Sequence, residues 1–208
     1  MTLTISSKTI LRAYVYSFLT RAFSYPIQQT VQEIEQEMVS LSLNISRNYQ
    51  NTDLVEVVNQ LKQAFERGKG KLEQEYTQLF LGQDHHNLNE GDYDKAASSM
   101  SQRLADISAF YLAFGLQVVQ GTGERLDFIG AEADFLHALL LKRAHAEQQE
   151  RKEQIDICIK AETQFLNEHV LWWMPKLAQR LKNSDGFYGT LGSFLAVFLQ
   201  EERACCAD

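Results

Sequence analysis

The chain has 208 residues, a hydrophobic fraction of 45% and a formal net charge of −7. That length fits one domain or two small ones and suffices for a real core, and the apolar content argues against wholesale disorder. The acidic balance makes nucleic acid a poor partner, because phosphate binding needs clustered Lys and Arg.

The two prolines, Pro26 and Pro175, leave long uninterrupted stretches. Proline breaks helix interiors, so its scarcity favours long helices. The first helix is predicted from about Ser7 to Ser24, capped by Ser6 or Ser7. Its apolar positions Ile10, Leu11, Tyr14, Phe18 and Leu19 recur at helical spacing, and Pro26 lies just past its end. A second helix covers about Thr30 to Leu43, followed by the polar connector SRNYQNTD. Thr52 or Asp53 then caps a third, carrying Leu54, Val57, Val58, Leu61 and Phe65, which the glycines and positive charge of RGKGK terminate. A fourth spans Leu72 to Leu81 and stops at Gly82.

From Gln83 to Asp94 the sequence is polar, acidic and without apolar rhythm. It reads as a long mobile loop or connector between lobes with nothing to bury. A fifth helix follows from about Lys95 to Phe114, and QGTGERLD makes a second break. Helix six spans about Asp127 to Glu147 and helix seven about Lys152 to Leu171. A short helix begins near Trp173, and the last runs from Phe187 to about Arg203. No strand alternation and no internal repeat appears. The fold class expected is all-α, a bundle of about eight or nine helices within a single domain, 1–208, with lobes 1–120 and 127–208.

The N-terminal segment carries Arg12 within a short apolar part and lacks a small-residue cleavage site, so it reads as a helix and not as an export signal. No stretch approaches the roughly 20 apolar residues of a membrane span. A cytoplasmic protein is expected. The cysteines Cys158, Cys205 and Cys206 form no CxxC pair and no disulfide framework.

Candidate chemistry is sparse. Asp84, His85, His86, Glu90, Asp92 and Asp94 are potential metal ligands, but they do not fit the calcium-hand template, and adjacent histidines rarely both reach one ion. Asp134 and His137 share a helix face, as in di-iron bundles, yet the second copy of that motif is missing. Gly121 and Gly123 belong to no dinucleotide or phosphate-binding fingerprint. No metal, cofactor or catalytic residue is expected. The alternative reading is a helical metalloenzyme or oxidase using His85, His86, Asp134 and His137.

Three ordered stretches carry a resemblance: Glu75-Tyr76-Thr77-Gln78-Leu79-Phe80-Leu81-Gly82, Glu124-Arg125-Leu126-Asp127-Phe128 with Glu132 beyond it, and Phe165-Leu166-Asn167-Glu168-His169 followed by Trp172, Trp173, Pro175 and Phe187-Tyr188. They resemble, in order, the "Y-x-x-L-F-x-G" helix end, the "E-x-P-D-H" hinge and the "F-L-x-x-H-L-x-x-W-x-P … F-Y" ending of the TorD/DmsD redox-enzyme maturation chaperones, related to NarJ-type assembly factors. Leu126 and Phe128 replace the hinge proline and histidine.

The resemblance implies a protein that is not an enzyme. Such chaperones bind the twin-arginine signal peptide and apoenzyme of a molybdopterin-dependent oxidoreductase, keeping it competent for cofactor insertion before export. Client contacts are then expected at Glu124, Asp127, Glu132, Tyr76, Phe80, His169 and Trp172, since Arg forks match carboxylate geometry and an apolar peptide suits a groove between helices. Some relatives form domain-swapped dimers, and the segment Gln83 to Asp94 suits such an exchange.

Overall fold

The structure, a computed structural model, describes residues 7–49, 51–83, 85–94, 100–116 and 125–207. Among them it is all-α, with nine α-helices and no strand. These are α1 Ser7–Phe23, α2 Gln28–Asn48, α3 Thr52–Gly68, α4 Leu72–Tyr76, α5 Met100–Ala113, α6 Ile129–Gln148, α7 Lys152–Phe165, α8 Met174–Leu181 and α9 Gly186–Ala207. The expected cap at Ser6 or Ser7 lies outside the described side chains.

The chain forms two compact units, each discontinuous in sequence. One comprises Met1–Thr20 with Asn89–Val170; the other comprises Arg21–Leu88 with Leu171–Asp208. This grouping is interleaved, whereas the sequence reading divides the chain at the glycine segment before Asp127. Pairing of distant segments is a tertiary property that local breaks do not encode.

In the second unit α2 packs on α3, and α9 packs on α3, α4 and α8. Helix α2 runs five residues past the expected end at Leu43. The stripe Ile34, Met38, Leu41 and Ile45 is buried, and this continuing apolar face holds the polar SRN in the helix. The cap of α3 is Asn51 rather than Thr52 or Asp53: its Oδ1 accepts from Asp53 N at 2.9 Å and Leu54 N at 3.2 Å. Asn51 also donates to Glu201 Oε1 at 2.6 Å. Asn51→Ala is expected to cost about 1–2 kcal/mol of stability, measured by denaturant unfolding, because it removes both the cap and a tie between two helices.

In the first unit α6 lies against α7. His137 on α6 donates from Nδ1 to Ala13 O on α1 at 2.8 Å, and Thr20 Oγ1 donates to Gly130 O at 3.3 Å. Its core is aromatic: Phe135 and Phe165 lie 4.5 Å apart between ring centroids, Tyr111 and Phe135 5.1 Å, and Phe110 and Phe165 5.2 Å. No helix among the described residues is long and apolar enough to cross a membrane.

Two helices end in π-helical turns, Thr77–Leu81 after α4 and Leu166–Val170 after α7. Both fall on segments that carry the family resemblance, and wide turns of this kind frequently mark functional regions.

The segment Gln83 to Asp94 departs from expectation. Its composition suggested nothing to bury, yet Leu88 and Gly91 are buried and Glu90 is 0% exposed. Glu90–Tyr93 forms a 3₁₀ turn, Asn89 makes an antiparallel bridge with Phe128, and Glu90 N donates to Asp127 O at 2.8 Å. Ion pairing, described next, compensates the burial of its acids.

Candidate functional site

The most unusual chemistry lies in the first unit, where three carboxylates, Glu90, Asp127 and Glu132, are each 0% exposed. Burial of an ionised carboxylate is costly unless it is paired and hydrogen-bonded. Asp127 meets that condition. Arg125 grips it with both arms, Nε to Oδ1 at 2.9 Å and an Nη to Oδ2 at 2.7 Å, while Gly91 N donates to Oδ2 at 2.8 Å. Arg125 also reaches Asp92 at 3.1 Å. Burial works against the Arg125 charge, but Asp127 and Asp92 outweigh it and hold the guanidinium above its ordinary pKa.

Gly91 has no room for a side chain here. A Cβ would stand 2.9 Å from the Arg125 guanidinium and press on Met100. The segment before α5 is thereby fastened to the turn that starts α6.

Glu90 is held from two sides. Arg103 Nε lies 3.3 Å from Oε1, and His169 Nδ1 donates to Oε2 at 3.2 Å. Arg103 is also paired with Asp94 at 2.7 Å. Tyr111 closes the cluster, donating to Leu126 O at 3.0 Å. Its burial, then the charges of Glu132, Asp134, Asp127 and Glu90, push its phenol well above the usual pKa, so it stays a hydrogen-bond donor.

The second unit holds Glu75–Gly82 and the later part of the third resemblance segment, from Trp172 to Tyr188. Tyr76, Phe80 and Tyr188 form an edge-to-face trio with centroids 4.8, 5.9 and 5.1 Å apart, and Tyr76 donates to Phe23 O at 3.1 Å. Glu75 Oε2 accepts from Phe187 N at 3.0 Å and so caps the first turn of α9. Gly186 precedes it at φ +78°, and a Cβ there would come within 2.6 Å of the same carboxylate. The first resemblance segment and the Phe187–Tyr188 end of the third are thus one packed joint.

The expected client-contact residues sort accordingly. Tyr76, Phe80, Asp127, Glu132 and His169 are all buried, at 7%, 5%, 0%, 0% and 3% exposure. Direct contact of a peptide arginine with Asp127 requires the Arg125 pair to open first. Trp172 is half-buried, with Lys176 Nζ 4.7 Å above its ring, whereas Trp173 is fully buried. Glu124 lies outside the described residues. Sequence reading missed Arg103 and Arg125 as the partners that neutralise the acids. The one local signal was Arg125, two residues before Asp127 within a resemblance segment.

The residues of the metalloenzyme alternative are not assembled. His85 is exposed and its Nδ1 donates to Gly82 O at 3.0 Å, His137 is committed to Ala13, and Asp134 is exposed. His86 is kept below its usual pKa by burial and by Arg180. Among the described residues no group of three or more His, Cys, Asp or Glu is placed to hold a metal ion.

Comparison with known proteins bears on the resemblance. The model of the family described as "Nitrate reductase delta subunit" matches residues 48–179, more than half of the chain. The chain belongs to this family. Relatives within the nitrate reductase delta subunit family include "Chaperone protein TorD" of Vibrio cholerae (serotype O1, strain M66-2), 24% identical over 93% of this chain and 91% of the relative. The protein of the same name from Vibrio parahaemolyticus is 26% identical over 83% and 80%, and that of Aliivibrio salmonicida 26% over 91% of each. No solved structure matches. The chain is thus TorD-like, and the relatives that it matches are named as chaperones.

Proposed function

We propose that the protein is a cytoplasmic chaperone for the precursor of a molybdopterin-dependent oxidoreductase. It binds the twin-arginine signal peptide and the apoenzyme, and holds the apoenzyme ready for molybdenum cofactor insertion before export. The observation that carries this reading is likeness to TorD chaperones over more than nine-tenths of both chains. The structure is compatible with it: Asp127 and Glu90 are sequestered with Arg125, Arg103 and His169 rather than arranged as nucleophile, base and orienting group. Of the expected contact residues, Trp172 offers the client open surface. Tyr76 and Phe80 support the second unit, and Asp127, Glu132 and His169 are buried in the first.

Loss of the gene is expected to leave client mRNA unchanged and to lower the amount of cofactor-loaded enzyme. A chaperone that binds the apo form protects it from aggregation and proteolysis while insertion proceeds. The deficit should grow at higher temperature or when cofactor is scarce, because the apo form then persists longer. Molybdenum content and activity of each molybdoenzyme in the deletion strain measure this. Normal loading throughout, under such stress, would contradict the proposal.

A further inference from the structure

An open groove of about 480 Å³ runs between α5 and α7 in the first unit. Arg103 and His169 both reach Glu90, and Phe110 packs on Phe165 and His169, so the two helices run antiparallel. Its floor is fixed: Phe110 is 5.2 Å from Phe165 and Phe114 is 6.0 Å from Phe135, both members of the buried aromatic core. Small residues, Ala109 and Ala113 on α5 and Ala161 on α7, keep the walls low, and Ile157 stands 52% exposed at one end.

The carboxylates of the groove lie toward one end and its cation, Lys160, toward the other. Asp106 lies one turn before Phe110 and Glu168 is next to His169, against which Phe110 packs, so both carboxylates lie toward the end opposite Ile157. Both are exposed; Asp106 accepts from Gln102 at 2.8 Å and Glu168 from Gln164 at 3.2 Å. Among the described residues neither is in a salt bridge. Lys160 lies between them and Ile157, so a second cation further along would be repelled. From Asp106 to Phe114 the helical rise is about 12 Å, roughly two turns of a docked helix.

We propose that this groove seats the apolar stretch of a client peptide, with adjoining arginines lodged between Asp106 and Glu168. This rests on the chaperone reading above and gives it a location. The charge pattern decides the occupant. A wholly apolar partner leaves two carboxylates idle, whereas a segment with paired arginines beside an apolar run matches both ends at once. The groove's lining includes none of Asp127, Glu90, Arg103 and Arg125, so filling it does not require their ion pairs to open.

The test uses the full chain and a synthetic peptide with two adjacent arginines beside about a dozen Ala and Leu residues, the length that spans the groove with margin. Binding is measured by calorimetry at low and high salt. Asp106→Asn with Glu168→Gln should weaken affinity about tenfold at low salt and flatten its salt dependence. Ile157→Asp should weaken it at least tenfold at either salt. Replacing the peptide arginines by glutamates should abolish binding to the unaltered chain. The three substituted positions are exposed, so unfolding midpoints should stay unchanged. Equal affinity for every variant would overturn the groove while leaving the chaperone reading intact, since the deletion strain tests that reading separately. No binding of the arginine peptide to the unaltered chain would also overturn it. So would self-association that Ile157→Asp abolishes, because the groove would then seat a second copy of this chain.

Discussion

Asp127→Ala is expected to destabilise the protein by about 3 kcal/mol, the cost of removing the buried partner of an ion pair together with the acceptor of a buried backbone N–H. For a chain of this size that lowers the thermal midpoint by roughly 10 °C. The carboxylate is 0% exposed and accepts from both arms of Arg125 and from Gly91 N. Its removal strands the buried N–H of Gly91, while Arg125 keeps Asp92 and its access to water. Asp127→Asn should lose less, because an amide oxygen still serves Gly91. Arg125 is 38% exposed at its side chain and also pairs with Asp92, whereas Asp127 has no access to water. Arg125→Ala leaves that carboxylate buried without its cation, so it should cost at least as much as Asp127→Ala. The double variant should fall short of the sum of the single losses, since both changes break the same contact. Reduced peptide affinity in Asp127→Ala is therefore informative only if measured well below the lowered midpoint. Denaturant unfolding of the four proteins checks the ordering. An Asp127→Ala chain as stable as the parent would show that the ion pair does not hold the segment ending at Tyr93.

Helix type and order were legible because apolar spacing is local. The stripe of α3, from Leu54 through Phe65, reads directly from the sequence and is buried as expected. What local pattern could not show is burial compensated at a distance. Glu90 sits in a segment that looks solvated, and its partners are Arg103, on a different helix, and His169, 79 residues away. A carboxylate in a polar run gives no hint that such partners exist. The cap at Asn51 was misassigned for a related reason: three consecutive residues, Asn51, Thr52 and Asp53, are all good caps, and the bond from Asn51 to Glu201 favours the first. The resemblance segments were recognised as positions of interest, but their residues split between packing and surface. Tyr76 and Phe80 meet Tyr188 in a core, while Trp172 reaches the surface. The groove between α5 and α7 was not anticipated, because Ala109, Ala113 and Ala161 carry no chemistry of their own and matter only for the room they leave.

Glu162→Ala is expected to rival the Asp127 change. Glu162 lies at 5% exposure on α7 and bridges Arg12 of α1 at 2.5 Å and Arg143 of α6 at 3.0 Å. Arg12 is itself only 4% exposed, so it cannot turn to water once that carboxylate is gone. Arg143 is better placed, since Glu147 still pairs with it at 2.9 Å. The loss should therefore come chiefly from Arg12, at about 3 kcal/mol or more. The corollary separates charge from packing. Buried ion pairs replaced whole by apolar groups of similar volume are often neutral or stabilising, because neither charge is then left without compensation. Arg12→Met combined with Glu162→Leu should thus recover most of what Glu162→Ala loses, and Arg12→Met alone should leave Glu162 still held by Arg143. Thermal unfolding of the three variants decides the matter. If the double variant is as weak as Glu162→Ala, the network fixes how α1 packs on α7 through geometry that apolar side chains cannot reproduce.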